Sequence, residues 1–340
     1  MQPSSILLLT TGGTIGSVPG PDGPIGHLSP DELLPHWGGA PEAYTVTWKE
    51  IFQQDSVNVQ PAQWQQLARE IFSHYAAYDG IVVTHGTDTL AYTSSMLSFM
   101  LPNPPIPVVI TGAQIPLVSP LSDGVSNLRC ALAMAASGTP GVFVAFHGTI
   151  LRGARAVKTH SLSLDAFHCA GDPHTAHISA HGLVIPREPL PASGGKPALR
   201  DALCEKVALL KWSPSFSPDI LLLLAREGWE GIVIEGYGKG GLPLAHEGWP
   251  DILARLRERD IPVVLCGQCQ AESDYGESAA QCPAGCISGR DMTTEAAVTK
   301  LMWCLAQPRD PGQSKTAAAE AWFRQDLAGE KSTRGKSLCS

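Results

Sequence analysis

The chain has 340 residues, and at roughly 150 residues per domain this length predicts two domains. Its 24 basic and 32 acidic residues give a net charge of −8, which argues against a surface built to bind nucleic acid or an anionic membrane. Apolar residues make up 44% of the chain and charged residues 16%, so a sizeable core is expected and extensive disorder is not.

The first nine residues give no sign of export. They lack a charged start, the apolar run Ile6–Leu9 is too short for a signal peptide, and no apolar run in the chain reaches the length of a membrane span. The nine cysteines are an odd number, which favours free thiols over a disulfide framework. We therefore expect a soluble, cytoplasmic protein that acts on a small molecule.

Short apolar strands alternate with helical patterns in the N-terminal half. Strands are predicted at Ile6–Thr10, Tyr44–Phe52, Ile81–Thr84, Val108–Thr111 and Val142–Phe146. Helices are predicted from a capping box formed by Ser29, Pro30 and Glu32, after Pro61, at Leu90–Leu101 and at Asn127–Ala136. Continuous apolar strands separated by helices are typical of a parallel sheet covered on both faces, so the predicted fold class is α/β.

The C-terminal half repeats this alternation in shorter form. Pro186–Pro197 is rich in proline and glycine, which indicates an interdomain linker. Strands are predicted at Ile232–Glu235 and Val263–Cys266, and helices at Pro250–Arg259 and Thr294–Gln307. The residues after Pro308 are polar and are expected to fray near the end of the chain. We thus predict an N-terminal α/β domain over residues 1–185, a linker over 186–205 and a smaller C-terminal α/β domain over 206–340.

Two loops that follow predicted strands carry threonine hydroxyls beside glycines. The first strand leads into TTGGTIG (Thr10–Gly16), and the strand Ile81–Thr84 leads into HGTDT (His85–Thr89). In an open parallel sheet, the loops at the carboxyl ends of the strands line one crevice, and glycine lets the backbone approach a ligand. A dinucleotide site is disfavoured because the segment after Gly16, SVPGPDGP, cannot form the helix that such a site requires. For either loop alone, the alternative is that its glycines only permit a tight turn of the backbone and do not form a site.

Together these loops resemble the asparaginase–glutaminase family with a threonine nucleophile. Four further motifs extend the resemblance over nearly the whole chain: TGAQIP (Thr111–Pro116), SDGVSNL (Ser122–Leu128), RGARAVKTH (Arg152–His160) and GRDMTTEAAVTKL (Gly289–Leu301). The spacing resembles the cytoplasmic, type I branch. The resemblance implies a larger N-terminal and a smaller C-terminal α/β domain, and hydrolysis of L-asparagine to L-aspartate and ammonia through a threonine acyl-enzyme, without a metal or cofactor. It also implies a homodimer or a homotetramer.

The resemblance assigns catalytic roles to four residues. Thr14 matches the nucleophile, Thr87 supplies a second hydroxyl with Asp88 beside it, and Lys158 completes a Thr–Lys–Asp arrangement. These residue types suit amide hydrolysis, which needs a nucleophile, a group that takes up its proton and donors for the developing oxyanion. Without the resemblance, a solvated surface position would be the usual interpretation of Lys158.

Substrate binding is likewise assigned by resemblance. Asp55, Ser56 and Val57 match the family segment that holds the α-carboxylate and α-amino groups of the substrate, and Thr87 and Asp88 complete the set. Asp88 would place a fixed negative charge near the substrate ammonium. Taken alone, Ser56 would be interpreted as a turn residue.

Two positions depart from the family pattern. Many members place a tyrosine on the loop after TGGTIG, where it hydrogen-bonds the nucleophile, but here the loop reads DGPIG (Asp22–Gly26). The group that activates Thr14 is therefore left open. Members of the cytoplasmic branch can also bind a second asparagine in the C-terminal domain, and Glu235 stands where an arginine would be expected to meet its carboxylate.

Two clusters permit a metal interpretation. The four residues Cys266, Cys269, Cys282 and Cys286 roughly imitate a zinc site, but the second spacing is loose and buried thiols are favoured. The spacing of His174, His177 and His181 is also ligand-like, but they lie in a polar connector where solvated histidines are favoured. No metal site is predicted.

Two other functions are open to this fold. The ammonia-generating subunit of a tRNA amidotransferase uses the same domain, although it carries an extra domain ahead of the TGGT motif, which here begins at Thr11. A non-catalytic amino-acid sensor is the second alternative, against which the retained Thr14, Thr87, Asp88 and Lys158 argue. Release of ammonia from asparagine by the chain alone separates these alternatives from an asparaginase.

Overall fold

The computed structural model describes residues 3–20, 23–29, 31–32, 36, 42–171, 175–186, 195–245, 248–269 and 282–332. The chain divides into two compact units, one formed by Met1–Cys169 and Pro173–Asp201 and the other by Ala170–Asp172 and Ala202–Ser340. The finer domain and linker boundaries given above remain a prediction. In the described part of the chain, no helix has the length and apolar character needed to cross a membrane.

The described part of the first unit contains twelve strands: β1 (Ser4–Gly12), β2 (Ser17–Gly20), β3 (Gly23–His27), β4 (Tyr44–Gln54), β5 (Gly80–Thr84), β6 (Pro107–Thr111), β7 (Gly141–Phe146), β8 (Thr149–Arg152), β9 (Ala156–Lys158), β10 (Phe167–Cys169), β11 (Ala176–Ser179) and β12 (Gly182–Val184). Eight of them form one sheet in the order β12-β11-β8-β7-β6-β5-β1-β4. The five strands from β7 to β4 are parallel, and β8, β11 and β12 extend the sheet antiparallel. The predicted α/β class is confirmed, and the antiparallel edge is an addition to it.

Among the described residues of this unit, the α-helices with given bounds are α1 (Pro61–Ser73), α2 (Leu90–Met100) and α3 (Gly124–Ala135). One hydrophobic cluster joins α3 to the strands, with Leu128 and Leu132 packed among Ile6, Val82 and Val109. Each of these side chains is at most 3% exposed, and burying one of this size stabilises the fold by about 1.5–3 kcal/mol. The continuous apolar strands read from the sequence are therefore the buried centre of the unit.

The strand register places three threonines side by side at the carboxyl edge of the sheet. Thr10 of β1 pairs with Thr84 of β5, which in turn pairs with Thr111 of β6. The loops that leave these strands begin at the same edge, as the parallel arrangement requires. This register brings the TTGGTIG, HGTDT and TGAQIP segments together.

The second unit is a smaller layer of the same kind. Its strands are β13 (Val207–Lys211), β14 (Gly231–Gly236), β15 (Val263–Gly267) and β16 (Ile287–Ser288), all parallel and in chain order. Its helices are α4 (Asp219–Arg226), α5 (Trp249–Glu258), α6 (Thr294–Ala306) and α7 (Lys315–Arg324). Trp212 and Trp249 lie with ring centroids 4.8 Å apart in a cluster with Leu253 and Ile234.

Most predicted elements are confirmed within a few residues. At the predicted capping box, the backbone nitrogen and the hydroxyl of Ser29 both donate to Glu32 Oε2 at 2.8 Å, while Pro30 lies outside the described residues. The segment after Pro308, expected to be polar and to fray near its end, contains α7 and the buried residues Glu330 and Lys331, while residues 333–340 lie outside the described residues. Alanine and charged residues hide this helix from a reading of hydrophobic periodicity.

Candidate functional site

The loop after β1 approaches its neighbours more closely than any side chain would allow. Gly12 and Gly13 have φ values of +90° and +81°, a left-handed conformation that favours glycine. A Cβ atom on Gly12 would lie 2.6 Å from the backbone of Gln54, and one on Gly13 would lie 2.4 Å from Gly86 Cα. Thr14 follows at the start of a short 3₁₀ turn, half-buried, where the TTGGTIG and HGTDT segments meet.

Lys158 joins the two residues of HGTDT that carry reactive groups. Its ammonium donates to Thr87 Oγ1 at 2.8 Å and to Asp88 Oδ1 at 2.6 Å. The Lys158 side chain is 18% exposed, whereas that of Asp88 is 54% exposed. Lys158 is therefore partly buried, unlike the solvated surface position that its residue type alone would suggest. A hydroxyl, an ammonium and a carboxylate are in direct contact, and the carboxylate still faces solvent.

Gln114 is a site residue that the sequence analysis did not single out. Its Nε2 donates to the carbonyl of Ser163 at 3.1 Å, so its Oε1 faces Thr87 and accepts the Thr87 hydroxyl at 3.2 Å. The Thr87 hydroxyl thus has an amide oxygen on one side and the Lys158 ammonium on the other. The signal for Gln114 was available, because TGAQIP follows a predicted strand just as the two threonine loops do.

The SDGVSNL motif explains how the Gln114 segment is held. The carboxylate of Asp123 accepts the backbone amides of Gln114 and Ile115 at distances down to 2.9 Å. Asn127, which is fully buried, donates to both Asp123 Oδ2 and the Gly112 carbonyl at 3.0 Å. Buried polar side chains are stable when their hydrogen bonds are made, so these two residues act as a support for the loop.

The three predicted binding residues of the Asp55–Val57 segment lie in different surroundings. The Asp55 carboxylate caps its own turn by accepting the Val57 amide at 3.3 Å, and the Val57 side chain is 57% exposed. Ser56 is buried and touches HGTDT twice: its hydroxyl accepts the Asp88 amide at 3.2 Å, and its carbonyl accepts the Thr89 hydroxyl at 2.7 Å. The structure therefore brings Ser56 to the Thr87–Asp88–Lys158 group and leaves Val57 at the surface.

Neither metal cluster gains a ligand set in the described ranges, where no group of three or more histidine, cysteine or carboxylate side chains could hold an ion. His174 lies outside the described residues. In the second unit, Glu235 is engaged on both oxygens, by Lys211 at 2.8 Å and by the Thr294 hydroxyl at 3.0 Å.

The loops that carry Thr14 and Thr87 leave the carboxyl edge of the parallel sheet, and Lys158, at the end of β9, contacts Thr87 and Asp88. The family model described as "Asparaginase, N-terminal" matches residues 5–190, and the model described as "Glutaminase/Asparaginase C-terminal domain" matches residues 206–317. The chain belongs to the asparaginase family of amidohydrolases, and the resemblance noted in its sequence is confirmed at that level.

Relatives that the chain matches over nearly their whole length are L-asparaginases. The chain is 40% identical over 312 residues to an L-asparaginase of Thermococcus kodakarensis, covering 90% of this chain and 94% of the relative. It is 34% identical over 339 residues to L-asparaginase 1 of Escherichia coli K12, covering 97% and 98%. The solved structure of the thermostable L-asparaginase from T. kodakarensis matches with a TM-score of 0.85 at 38% identity, covering 96% of this chain and 99% of that chain.

Proposed function

We propose that this protein is an L-asparaginase that hydrolyses L-asparagine to L-aspartate and ammonia through a threonine acyl-enzyme. The observation that carries the proposal is the contact of Lys158 with Thr87 at 2.8 Å and with Asp88 at 2.6 Å, on the loop that packs against the segment of Thr14. The relatives named L-asparaginase, at 34% and 40% identity, support the choice of substrate.

The proposed chemistry uses only groups of this chain. Thr14 Oγ1 attacks the side-chain amide carbon of asparagine and gives its proton to Thr87 Oγ1, which passes its own proton to Lys158 Nζ in the neutral amine form. The backbone amides of Thr14 and Thr87, to which no acceptor is assigned among the described residues, donate to the oxyanion. The intermediate then breaks its C–N bond, and the nitrogen leaves as ammonia with the proton that Lys158 had received. Water attacks the threonine ester and releases aspartate, which returns the Thr14 hydroxyl.

Recognition of the amino-acid end of the substrate follows from charge. Asp88 is 54% exposed and can receive the substrate ammonium while Lys158 holds one of its oxygens. Asp55, Ser56 and Val57 are proposed to bind the α-carboxylate and α-amino groups. Because the Asp55 carboxylate already caps its own turn, we expect the backbone and hydroxyl of this segment to make most of these contacts.

The assembly and location of the protein are part of the same proposal. We propose a cytoplasmic homodimer or homotetramer, on the strength of the type I resemblance. Light scattering at micromolar concentration tests the assembly, and a monomer there would contradict it.

The decisive experiment is ammonia release by the purified chain alone. We expect release from L-asparagine, with L-glutamine assayed in parallel, and loss of release in Lys158→Met. Release from glutamine only in the presence of a partner protein would favour the amidotransferase subunit. Binding of asparagine without release would favour the amino-acid sensor.

A further inference from the structure

A buried chain of hydrogen bonds ends on the peptide that precedes Thr87. The indole of Trp64 lies 2.9 Å from Thr93 Oγ1, which lies 3.0 Å from His85 Nε2. The other ring nitrogen of His85, Nδ1, lies 2.7 Å from the carbonyl oxygen of Gly86. His85 and Thr93 are fully buried, and Trp64 is nearly so.

The chemistry of these partners fixes the direction of every bond. A carbonyl oxygen only accepts, so His85 Nδ1 carries the hydrogen and donates it to Gly86. Burial lowers the pKa of His85 to about 4, despite the opposing effect of the Gly86 carbonyl, so the ring is neutral and Nε2 is an acceptor. Thr93 therefore donates its hydroxyl to Nε2 and accepts the indole hydrogen of Trp64. Each polar side-chain atom of Trp64, Thr93 and His85 therefore has a hydrogen-bond partner.

The bond to the Gly86 carbonyl orients the next amide as well. All peptide bonds in the described chain are trans, and in a trans peptide the N–H points opposite to the C=O. With the Gly86 carbonyl directed at the buried imidazole, the Thr87 amide hydrogen points away from the core. This amide is one of the two that the proposed mechanism uses for the oxyanion.

The surroundings of Gly86 leave the peptide no room to adjust on its own. A Cβ atom on Gly86 would lie 2.7 Å from the Ser56 side chain, and one on Gly112 would lie 2.4 Å from the His85 carbonyl. Together with the Gly13 contact described above, three loops of the site rest on the His85–Gly86 backbone. A change in the direction of this peptide would therefore be transmitted to all of them.

We propose that His85 is a positioning residue for amide hydrolysis: through its Nδ1–H bond to the Gly86 carbonyl, supported by Thr93 and Trp64, it aims the Thr87 amide at the oxyanion. The proposal rests on the proposed function. The imidazole itself touches neither Thr14, Thr87 nor Lys158 through any assigned hydrogen bond, so it acts through the peptide and not on the substrate.

Two substitutions separate the two ends of the imidazole. In His85→Asn, the amide nitrogen can occupy the place of Nδ1 and donate to Gly86, while the contact with Thr93 is lost. In His85→Gln, an oxygen can reach Thr93, while the donor to Gly86 is lost. We expect His85→Asn to keep kcat within about threefold, and His85→Gln to lose at least about tenfold in kcat with KM within about twofold, because a misaimed oxyanion donor acts mainly on the transition state.

The outcome that overturns the proposal is equally defined. If the two variants lose kcat equally, in step with their thermal midpoints, or if neither loses any, His85 has only a structural role. Thr93 supplies a second test that does not require a change at His85. Thr93→Val removes the hydroxyl and should lower kcat several-fold, whereas Thr93→Ser keeps it and should restore the wild-type value; equal rates in both would contradict the proposal.

A measurement without substrate keeps this inference distinct from the proposed function. Nitrogen-15 NMR of histidine-labelled protein reports which ring nitrogen carries the hydrogen, and the His85 signal is assigned by its loss in His85→Asn. We expect the neutral Nδ1–H form, and the Nε2–H form would overturn the inference whatever the activity. If the wild-type chain releases no ammonia from asparagine while His85 is in the Nδ1–H form, the proposed function fails and the described geometry stands.

Discussion

Thr14 lies at the first residue of a 3₁₀ turn, directly after two glycines with positive φ, and is proposed as the nucleophile. Its substitution by alanine removes the attacking oxygen and leaves the backbone of the loop unchanged. We expect Thr14→Ala to lose at least about 10³-fold in kcat, because the acyl-enzyme cannot form. Substrate binding, measured by calorimetry, should persist.

Two results would contradict this assignment. Near-normal turnover by a folded Thr14→Ala protein would show that another group attacks the amide. Mass spectrometry of acid-quenched enzyme during turnover gives the second check, since the aspartyl ester should lie on the peptide that contains Thr14. An ester on the peptide of Thr87 would transfer the role of nucleophile to that residue.

Lys158 is proposed both to accept a proton and to hold Asp88. Lys158→Met removes both interactions and should abolish most of the rate. Lys158→Arg keeps the positive charge, but guanidinium stays protonated and has a different shape, so we expect no recovery of kcat. Wild-type turnover in Lys158→Arg would show that only the charge matters, and the role in proton transfer would have to be withdrawn.

The residues of the site differ in how far sequence could reveal them. Thr87 and Asp88 follow an apolar strand directly, and this position marks them as candidates. Lys158 follows no such pattern and was found only through the family motif. Gln114 and His85 were missed as individuals, because a glutamine or a buried histidine gains its meaning only from partners far away in the chain, such as Thr93 for His85.

At the scale of elements, the loops of the first unit depend on glycine at their contact points. Gly13→Ala combines a strained φ of +81° with a Cβ atom 2.4 Å from Gly86 Cα, so the two loops must separate. We expect kcat/KM to fall at least about 10²-fold, as misplacements near 1 Å do in other active sites. Gly138→Ala is the matched control, because its φ is +70° and no atom lies within 4 Å of the new Cβ. Equal kinetic losses in the two variants would show that strain alone is responsible.

The loop of His85 also links the stability of the fold to pH. The pKa of His85 is lowered by burial from 6.5 to about 4, so between these values the unfolded chain binds a proton that the folded chain does not. This stabilisation is therefore complete above pH 6.5 and is lost as the pH falls toward 4, by about 2 kcal/mol at pH 5. The free energy of unfolding, measured in urea, should fall by about 2 kcal/mol less between pH 7 and pH 5 in His85→Gln than in the wild type. The exposed His181→Gln serves as the control and should behave as the wild type.

The order of strands and helices was predictable wherever apolar periodicity was strong. The parallel strands β1, β5, β6 and β7 were found because both faces of each are buried, and burial leaves a continuous apolar run. The short helix α4 was missed since its leucine run, Asp219–Arg226, reads equally well as a strand. The pairing of the strands was not predictable, because the sequences of β8 and β11 carry no pattern that indicates an antiparallel position at the edge of the sheet.

At the scale of the whole molecule, a buried ion pair connects α6 with the segment that follows α7 in the second unit. The side chains of Lys300 on α6 and Glu330 beyond α7 are in contact and are both fully buried. Lys300 also donates to the Gln325 carbonyl at 2.8 Å, and Glu330 accepts the amides of Leu327 and Ala328 at 2.9 and 2.8 Å. Burial alone would raise the pKa of Glu330, but the Lys300 ammonium and these bonds lower it to about 2. The Asp326 carboxyl lies beside this pair, and burial together with Glu330 raises its pKa to about 7, while Lys300 acts in the opposite direction.

Removing one partner of this pair should destabilise the chain far more than removing both. Glu330→Gln removes the carboxylate that the buried Lys300 ammonium contacts, at a cost of about 3–5 kcal/mol in the free energy of unfolding, whereas Lys300→Met combined with Glu330→Leu should recover most of that loss. The control is Glu320→Gln, which breaks the exposed pair with Arg324 and should cost less than about 1 kcal/mol. Urea unfolding measures all three, and wild-type stability in Glu330→Gln would contradict the prediction.

Because no proposed catalytic residue lies in the second unit, kcat per folded molecule should stay unchanged in Glu330→Gln at temperatures where the variant is folded. The ion pair would then contribute to the free energy of unfolding and not to the rate of catalysis.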